Sequence, residues 1–246
     1  MQDYNCHFKK PSQGPPLVKE DILLTRPEIG QVPSRPLIVL TCDLISASCK
    51  QRALNRFIRE FMMLDQIRRE LEADPDETRE ISASLVRTWM ANREPNVRGA
   101  MYGLLHSSHA ARVNPPLSFD EVFDFVLQYF EWCIKTDPAP GGWANTRYSA
   151  GWDLVGWFIG LWDESRDKKY FEAIKVCLES LYKTGDADLR KAIEHSIVEH
   201  LFERKAIRKF FGDWKTDPVL KPAYDEGVLW VTRGGKSPLS EQQSKE

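Results

Sequence analysis

The stretch SAGWDLVGWFIGLWDES, residues 149–165, places Trp152, Trp157 and Trp162 five residues apart with Gly151, Gly156 and Gly160 among them. At about 100° per residue a five-residue step turns roughly 140° around a helix, so the tryptophans do not share a face. With Leu154, Val155, Phe158, Ile159 and Leu161 they fill an apolar arc of about 220°. A helix that apolar is covered by neighbours on more than one side, so the segment is expected to be the central helix of a helical core. The remaining strip carries Gly156 and Gly160 one turn apart, with Asp153 beside them. Each glycine costs a helix about 1 kcal/mol relative to Ala. The expected compensation is close approach by another helix. The alternative is a ligand slot formed by Asp153, Gly156, Trp157 and Gly160. A covered carboxylate at Asp153 needs a partner, for which Arg147 or a lysine is available.

The pattern outside this helix is also helical. Ala53, Phe57, Phe61, Leu64 and Ile67 recur in steps of three and four, which predicts an amphipathic helix over 47–72 with that row turned inward. Arg52, Arg56, Arg59, Arg68 and Arg69 lie mostly off the row and read as a solvated face. Ile81, Leu85 and Trp89 mark a second helix, and Val97, Met101, Leu104 and Leu105 a third, ended by Asn114-Pro115-Pro116. Ser118 and Glu121 form an S-x-x-E capping box before a helix over 118–136. Further helices are expected over 145–163, 167–184 and 187–204, with Gly185 as a C-cap and Asp186 as an N-cap. Short ones follow at 206–214 and 218–230. The fold class is all-α: eight or nine helices in antiparallel pairs.

Residues 1–46 read differently. Six of the 15 prolines fall within 1–36, which excludes helix there. An extended arm is expected, with a possible short hairpin between 21–24 and 36–42. Residues 47–231 are expected to form one helical domain, with 114–117 as the alternative seam. Residues 232–246 read as a polar, disordered tail. The N-terminal MQDYNCHFKK lacks the layout of a signal peptide, and no apolar run reaches the roughly 20 residues of a bilayer span. Five scattered cysteines without a CxxC pair fit reduced thiols and a cytoplasmic location.

Motifs for chemistry are sparse. His106 and His109 stand three apart, a spacing that could serve a metal, but no further ligand stands near them in sequence. Glu194, His195, Glu199, His200 and Glu203 contain neither HExxH nor HxxEH and read as His195–Glu199 and His200–Glu203 surface pairs. There is no GxSxG, and the GGKSP at 234–238 lacks the strand and helix of a phosphate loop. No catalytic residue, metal or cofactor is assigned.

Charge separates the two halves. Residues 47–117 hold 11 Lys+Arg against 9 Asp+Glu, whereas residues 118–230 hold 15 against 20. That acidic half is a poor profile for nucleic-acid binding, and neither nucleic acid nor a membrane is expected as a partner. The run from SAGWDLVGWFIGLW through LESLYKTGDADLRKAIEHSIVEHLFE to FFGDWKTDPVLKPAYDEGVLW, residues 149–231, resembles uncharacterised helical bacterial proteins of toxin–immunity loci. The likeness rests on Gly185-Asp186, Leu189-Arg190, the VEHLFE run 198–203 and Phe211, Asp213 and Trp214. It implies an all-α fold and an interaction role, and it supplies no catalytic residue. The expected function is therefore that of an immunity or antitoxin-like protein that neutralises a protein partner, most plausibly a basic toxin. Its expected binding surface is Asp186, Asp188, Glu194, Glu199 and Glu203, where electrostatic matching would speed association. The alternative is a helical enzyme or small-molecule binder using the Gly156/Gly160 strip.

Overall fold

A computed structural model describes residues 47–74 and 79–235. The chain divides between Ile45 and Ser46, so all described residues lie in the second part. The expected hairpin within 21–42 lies outside the described residues, as does most of the expected tail.

The described chain is all-α. In order come α1 (Ala47–Glu72), β1 (Ile81–Ser82), α2 (Ala83–Met90), α3 (Pro95–Leu105), a 3-10 turn (Ser108–Arg112) and β2 (Val113–Asn114). There follow α4 (Phe119–Thr136), α5 (Arg147–Asp163), α6 (Lys168–Thr184), α7 (Ala187–Ile193), a π-helical turn (Glu194–Val198) and α8 (Glu199–Leu201). The chain continues through α9 (Lys205–Phe210), a second 3-10 turn (Gly212–Lys215) and α10 (Lys221–Thr232). The two strands pair in parallel, Ile81 with Val113 and Ser82 with Asn114. Two residues are too few to show an alternating pattern, which is why the sequence gives no sign of them.

Local chemistry sets the helix ends. Ser118 Oγ accepts the Glu121 amide and the Glu121 carboxylate accepts the Ser118 amide at 2.9 Å, closing the expected capping box. Arg87 donates to the same carboxylate at 2.7 Å, and these bonds hold the Glu121 pKa down at about 2. Asp186 accepts the Leu189 amide at 2.8 Å and starts α7 as expected. Gly185 does close α6, but with φ −76°, not in the left-handed region of a glycine C-cap. Two arginines finish the preceding helices. Arg147 donates to the carbonyls of Ile134 and Lys135 at the end of α4, and Arg190 to those of Tyr182 and Lys183 at the end of α6. A cation at a helix C-terminus also meets the negative end of the helix dipole.

One hydrophobic core includes Trp89, Met101 and Leu104 before 114–117 and Phe130, Phe158, Phe202 and Trp214 after it. Helix α5 is its spine, burying Ala150, Gly151, Leu154, Val155, Phe158 and Leu161. The tryptophans leave it in three directions, as the angular argument requires. Trp152 stacks on His200 at 4.1 Å, Trp157 lies 5.0 Å from Phe123, and Trp162 lies 5.0 Å from Phe171.

Two expectations fail in the packing. Among the described residues a Cβ at Gly156 or Gly160 would meet nothing within 4 Å, so no described helix approaches that strip. The close approach occurs instead at Gly151, where a Cβ would lie 2.9 Å from Ser196 Cβ and 3.2 Å from Ile197 Cγ1. Helix α1 differs too. Leu64 and Ile67 turn inward, but Phe57 and Phe61 are about two-thirds exposed. The side chain of Ala53 lies outside the described residues.

Candidate functional site

The slot predicted on α5 separates into parts. Trp157 is committed to packing against Phe123 and Phe130 of α4. Gly156 and Gly160 face open space. Asp153 is not held by Arg147 or a lysine. Its Oδ2 accepts from Asn145 Nδ2 at 2.7 Å and from the Tyr102 hydroxyl at 3.3 Å. Asn145 Oδ1 also accepts a hydrogen bond from the Tyr129 hydroxyl at 3.1 Å, and the Asn145 backbone N–H donates to that hydroxyl oxygen at 2.9 Å. Tyr102 stacks on both Tyr129 and His106. Asp153 is thus the head of a neutral hydrogen-bond network that ties α3, the loop before α5 and α4 together.

Desolvation is the largest effect on this carboxyl group and raises its pKa above the usual carboxylate range, while Asn145 and Tyr102 oppose the shift. Burial likewise raises Tyr102 and Tyr129, and it lifts the Cys133 thiol to about 11. A cysteine in that state is a core residue, not a nucleophile. A raised folded pKa means the neutral carboxyl is favoured in the fold. Its contribution is complete below the unfolded value of about 3.9 and is lost as pH rises through the folded pKa. Asp153→Asn keeps the acceptor and stays neutral. Its stability relative to wild type is expected to improve between about pH 3.5 and pH 7, by denaturant unfolding at each pH. Asp153 itself is exposed, so the shift comes from neighbouring groups that crowd water from its carboxyl; a difference that stays flat with pH contradicts this assignment.

The five predicted partner-binding acids do not form one exposed face. Asp186 and Asp188 are exposed, Asp186 as the cap of α7. Glu194 accepts the Tyr182 hydroxyl at 2.5 Å. Glu199 is 6% exposed and bonds His195 Nδ1 at 2.5 Å. Glu203 lies 3.2 Å from His200 Nδ1 and 3.5 Å from the Trp230 indole nitrogen. Both His–Glu pairs form as the spacing suggests, but around the core, because His200 is 5% exposed between Trp152 and Trp230. The π-helical turn beneath them contains Ser196, whose hydroxyl donates to the Ala192 carbonyl at 2.7 Å. That carbonyl is the one the Ser196 amide takes in a regular α-helix, so the side chain competes with the ladder.

His106 and His109 are separated by the end of α3. His106 is exposed against Tyr102, while His109 is buried with Nδ1 at 3.0 Å from Ser107 Oγ and Nε2 at 3.0 Å from the Ala73 carbonyl. Among the described residues no group of three or more His, Cys, Asp or Glu is placed to hold a metal. No helix among them is long and apolar enough to cross a membrane.

The largest unexplained surface lies on α1. Leu54, Phe57, Ile58, Phe61 and Met62 are between 46% and 65% exposed. They fall within an arc of about 140° on one helix. Arg52, Arg56 and Arg59 fall on the far side of the helix from this stripe, and Arg56 is paired with Glu60 and with Glu94 before α3. A three-four periodicity marks apolar residues without saying which are covered, so the sequence does not distinguish this face from a buried one. Comparison of the chain with protein-family models, with curated proteins and with solved structures finds no match.

Proposed function

We propose that the chain is an interaction protein of the immunity or antitoxin kind, which binds and neutralises a protein partner, and that α1 is the face it offers. The observation that carries this reading is the exposed stripe Leu54, Phe57, Ile58, Phe61 and Met62. Positions i, i+3, i+4, i+7 and i+8 are the anchors of a helix laid against an apolar groove. Contiguous exposed apolar surface of this size marks interaction sites. The acid set is a weaker candidate, since Glu194, Glu199 and Glu203 are already engaged within the chain. Only Asp186 and Asp188 of that set remain for a basic partner.

The test is affinity capture from the native cell extract with three baits: wild type, Phe57→Ser/Phe61→Ser, and Asp186→Lys/Asp188→Lys. A partner held by wild type is expected to weaken at least about tenfold with the α1 variant, as for the loss of two aromatic anchors. The acid variant is expected to retain it. The opposite pattern moves the site to α7. Retention by neither variant nor wild type removes the interaction reading. Light scattering on purified wild type separates a further outcome: a dimer that the α1 variant abolishes assigns the stripe to a second copy.

A second reading keeps one specific observation, the open space beside Gly156 and Gly160. A small molecule seated there would raise Tm in wild type. Gly156→Leu would abolish that rise. Equal responses of the two proteins exclude the strip.

A further inference from the structure

We propose that the cleft between α9, the second 3-10 turn and α10 binds a small phosphate-bearing ligand. Lys205, Arg208, Lys209, Gly212, Lys215 and Tyr224 line a concavity of about 240 Å³. A water occupies about 30 Å³ of liquid, so the space suits a phosphorylated group of several heavy atoms.

The charge state of this cleft is the first argument. Lys205, Arg208, Lys209 and Lys215 make no ion pair or side-chain hydrogen bond among the described residues. Elsewhere in the same half, Lys168, Lys169, Lys175, Lys183 and Lys221 each reach a carboxylate, as do Arg166 and Arg204. Acids outnumber bases in this half, yet four cations converge on one concavity without one. Two acids next to the lining residues in sequence are paired with other lysines: Lys175 Nζ holds Asp213 at 2.6 and 2.7 Å, and Lys221 holds Asp225. Cations gathered around a concavity repel one another weakly in water but sum to a positive potential that concentrates anions.

The second argument is the back wall. Tyr224 lines the cleft, and its hydroxyl makes no hydrogen bond among the described residues; it is not a buried unpaired group but opens to solvent at the cleft, where it is free to donate. Lys215 Nζ sits 5.1 Å from the centre of the same ring, which draws that cation to the wall. A Cβ at Gly212 would meet nothing within 4 Å, so the floor is open. Phosphate matches this donor set. It carries a charge near −1.5 to −2 and three acceptor oxygens, enough for an arginine fork, ammonium groups and one hydroxyl together.

The experiment is isothermal titration of the full chain with pyrophosphate and with inorganic phosphate, at a constant ionic strength of about 0.15 M so that general screening is unchanged. One saturable site per chain, with Kd of about 1 mM or tighter for pyrophosphate, is expected. Lys209→Gln, an exposed position, is expected to weaken it at least about fivefold, and Arg208→Gln more, because the fork is lost. Tyr224→Phe keeps the ring and removes the donor, and is expected to weaken it about two- to fivefold. Lys191→Gln, outside the cleft, serves as the control and is expected to change nothing. Circular dichroism checks that each variant folds. Heats that fail to saturate, or affinity indifferent to Lys209→Gln and Arg208→Gln, overturn the proposal. Tight binding of a short single-stranded RNA that grows with its length, with no pyrophosphate site, also overturns it and assigns the cations to a nucleic-acid backbone.

Discussion

Phe158→Ala is expected to destabilise the protein by about 3–5 kcal/mol, the cost of emptying a well-packed aromatic site. Phe158 is fully buried at the middle of α5, and its ring centre lies 5.5 Å from Phe171, 5.9 Å from Trp162, 6.1 Å from Phe211 and 6.4 Å from Phe210. Those partners come from α5, α6 and the region of α9, so the ring joins three elements that share little else in sequence. The loss is a large share of a typical domain stability of about 5–15 kcal/mol. Trp152→Ala on the same helix is the control. Trp152 is 36% exposed and stacks on one ring, so its removal is expected to cost about 1–2 kcal/mol despite the larger side chain. Urea unfolding reads both as shifts in midpoint at unchanged slope. Equal losses for the two would mean that α5 is not packed around Phe158.

The second large effect is an inversion among the glycines of α5. On helix propensity alone, Ala in place of Gly gains about 1 kcal/mol at each position. At Gly156 and Gly160 nothing stands within 4 Å of the new methyl, so Gly156→Ala and Gly160→Ala are expected to stabilise by about 0.4–1 kcal/mol. At Gly151 the methyl would lie 2.9 Å from Ser196 Cβ, and closer still to its hydroxyl oxygen. Gly151→Ala is therefore expected to destabilise by about 1–3 kcal/mol, and Gly151→Val by more. Ser196→Gly removes the obstructing atoms. Added to Gly151→Ala, it is expected to return part of the loss, with a coupling of about 0.5 kcal/mol or more in a double-mutant cycle. Three equal responses at 151, 156 and 160 would contradict the packing of α5 on the π-helical turn. Any response at Gly156 also bears on the second functional reading, since the same open face is where a small molecule would sit.

The candidate sites divide along the same line. That Asp153 needs partners followed from its place on an apolar helix, but the partners are neutral. Asn145 and Tyr102 carry no charge, so nothing in charge pattern or spacing pointed to them. The row Glu194 to Glu203 reads as an acidic surface because five polar residues stand close in sequence. His200 is buried between Trp152 of α5 and Trp230 of α10, and Glu199, 6% exposed, bonds His195. The cationic cleft was hidden by averaging: residues 118–230 carry 15 bases against 20 acids, and only the fold gathers four of the bases in one place.

The all-α class, most helix boundaries, the Ser118–Glu121 and Asp186 caps, and the spread of the three tryptophans around α5 are legible in the sequence. Each of these depends on neighbours within about one turn, where spacing fixes geometry. Which glycine is tight, what holds Asp153, which side of α1 is exposed and where four cations meet depend on long-range packing. Periodicity names the residues that share a face. What covers that face comes from helices distant in sequence, and their position is set by the packing of the whole core.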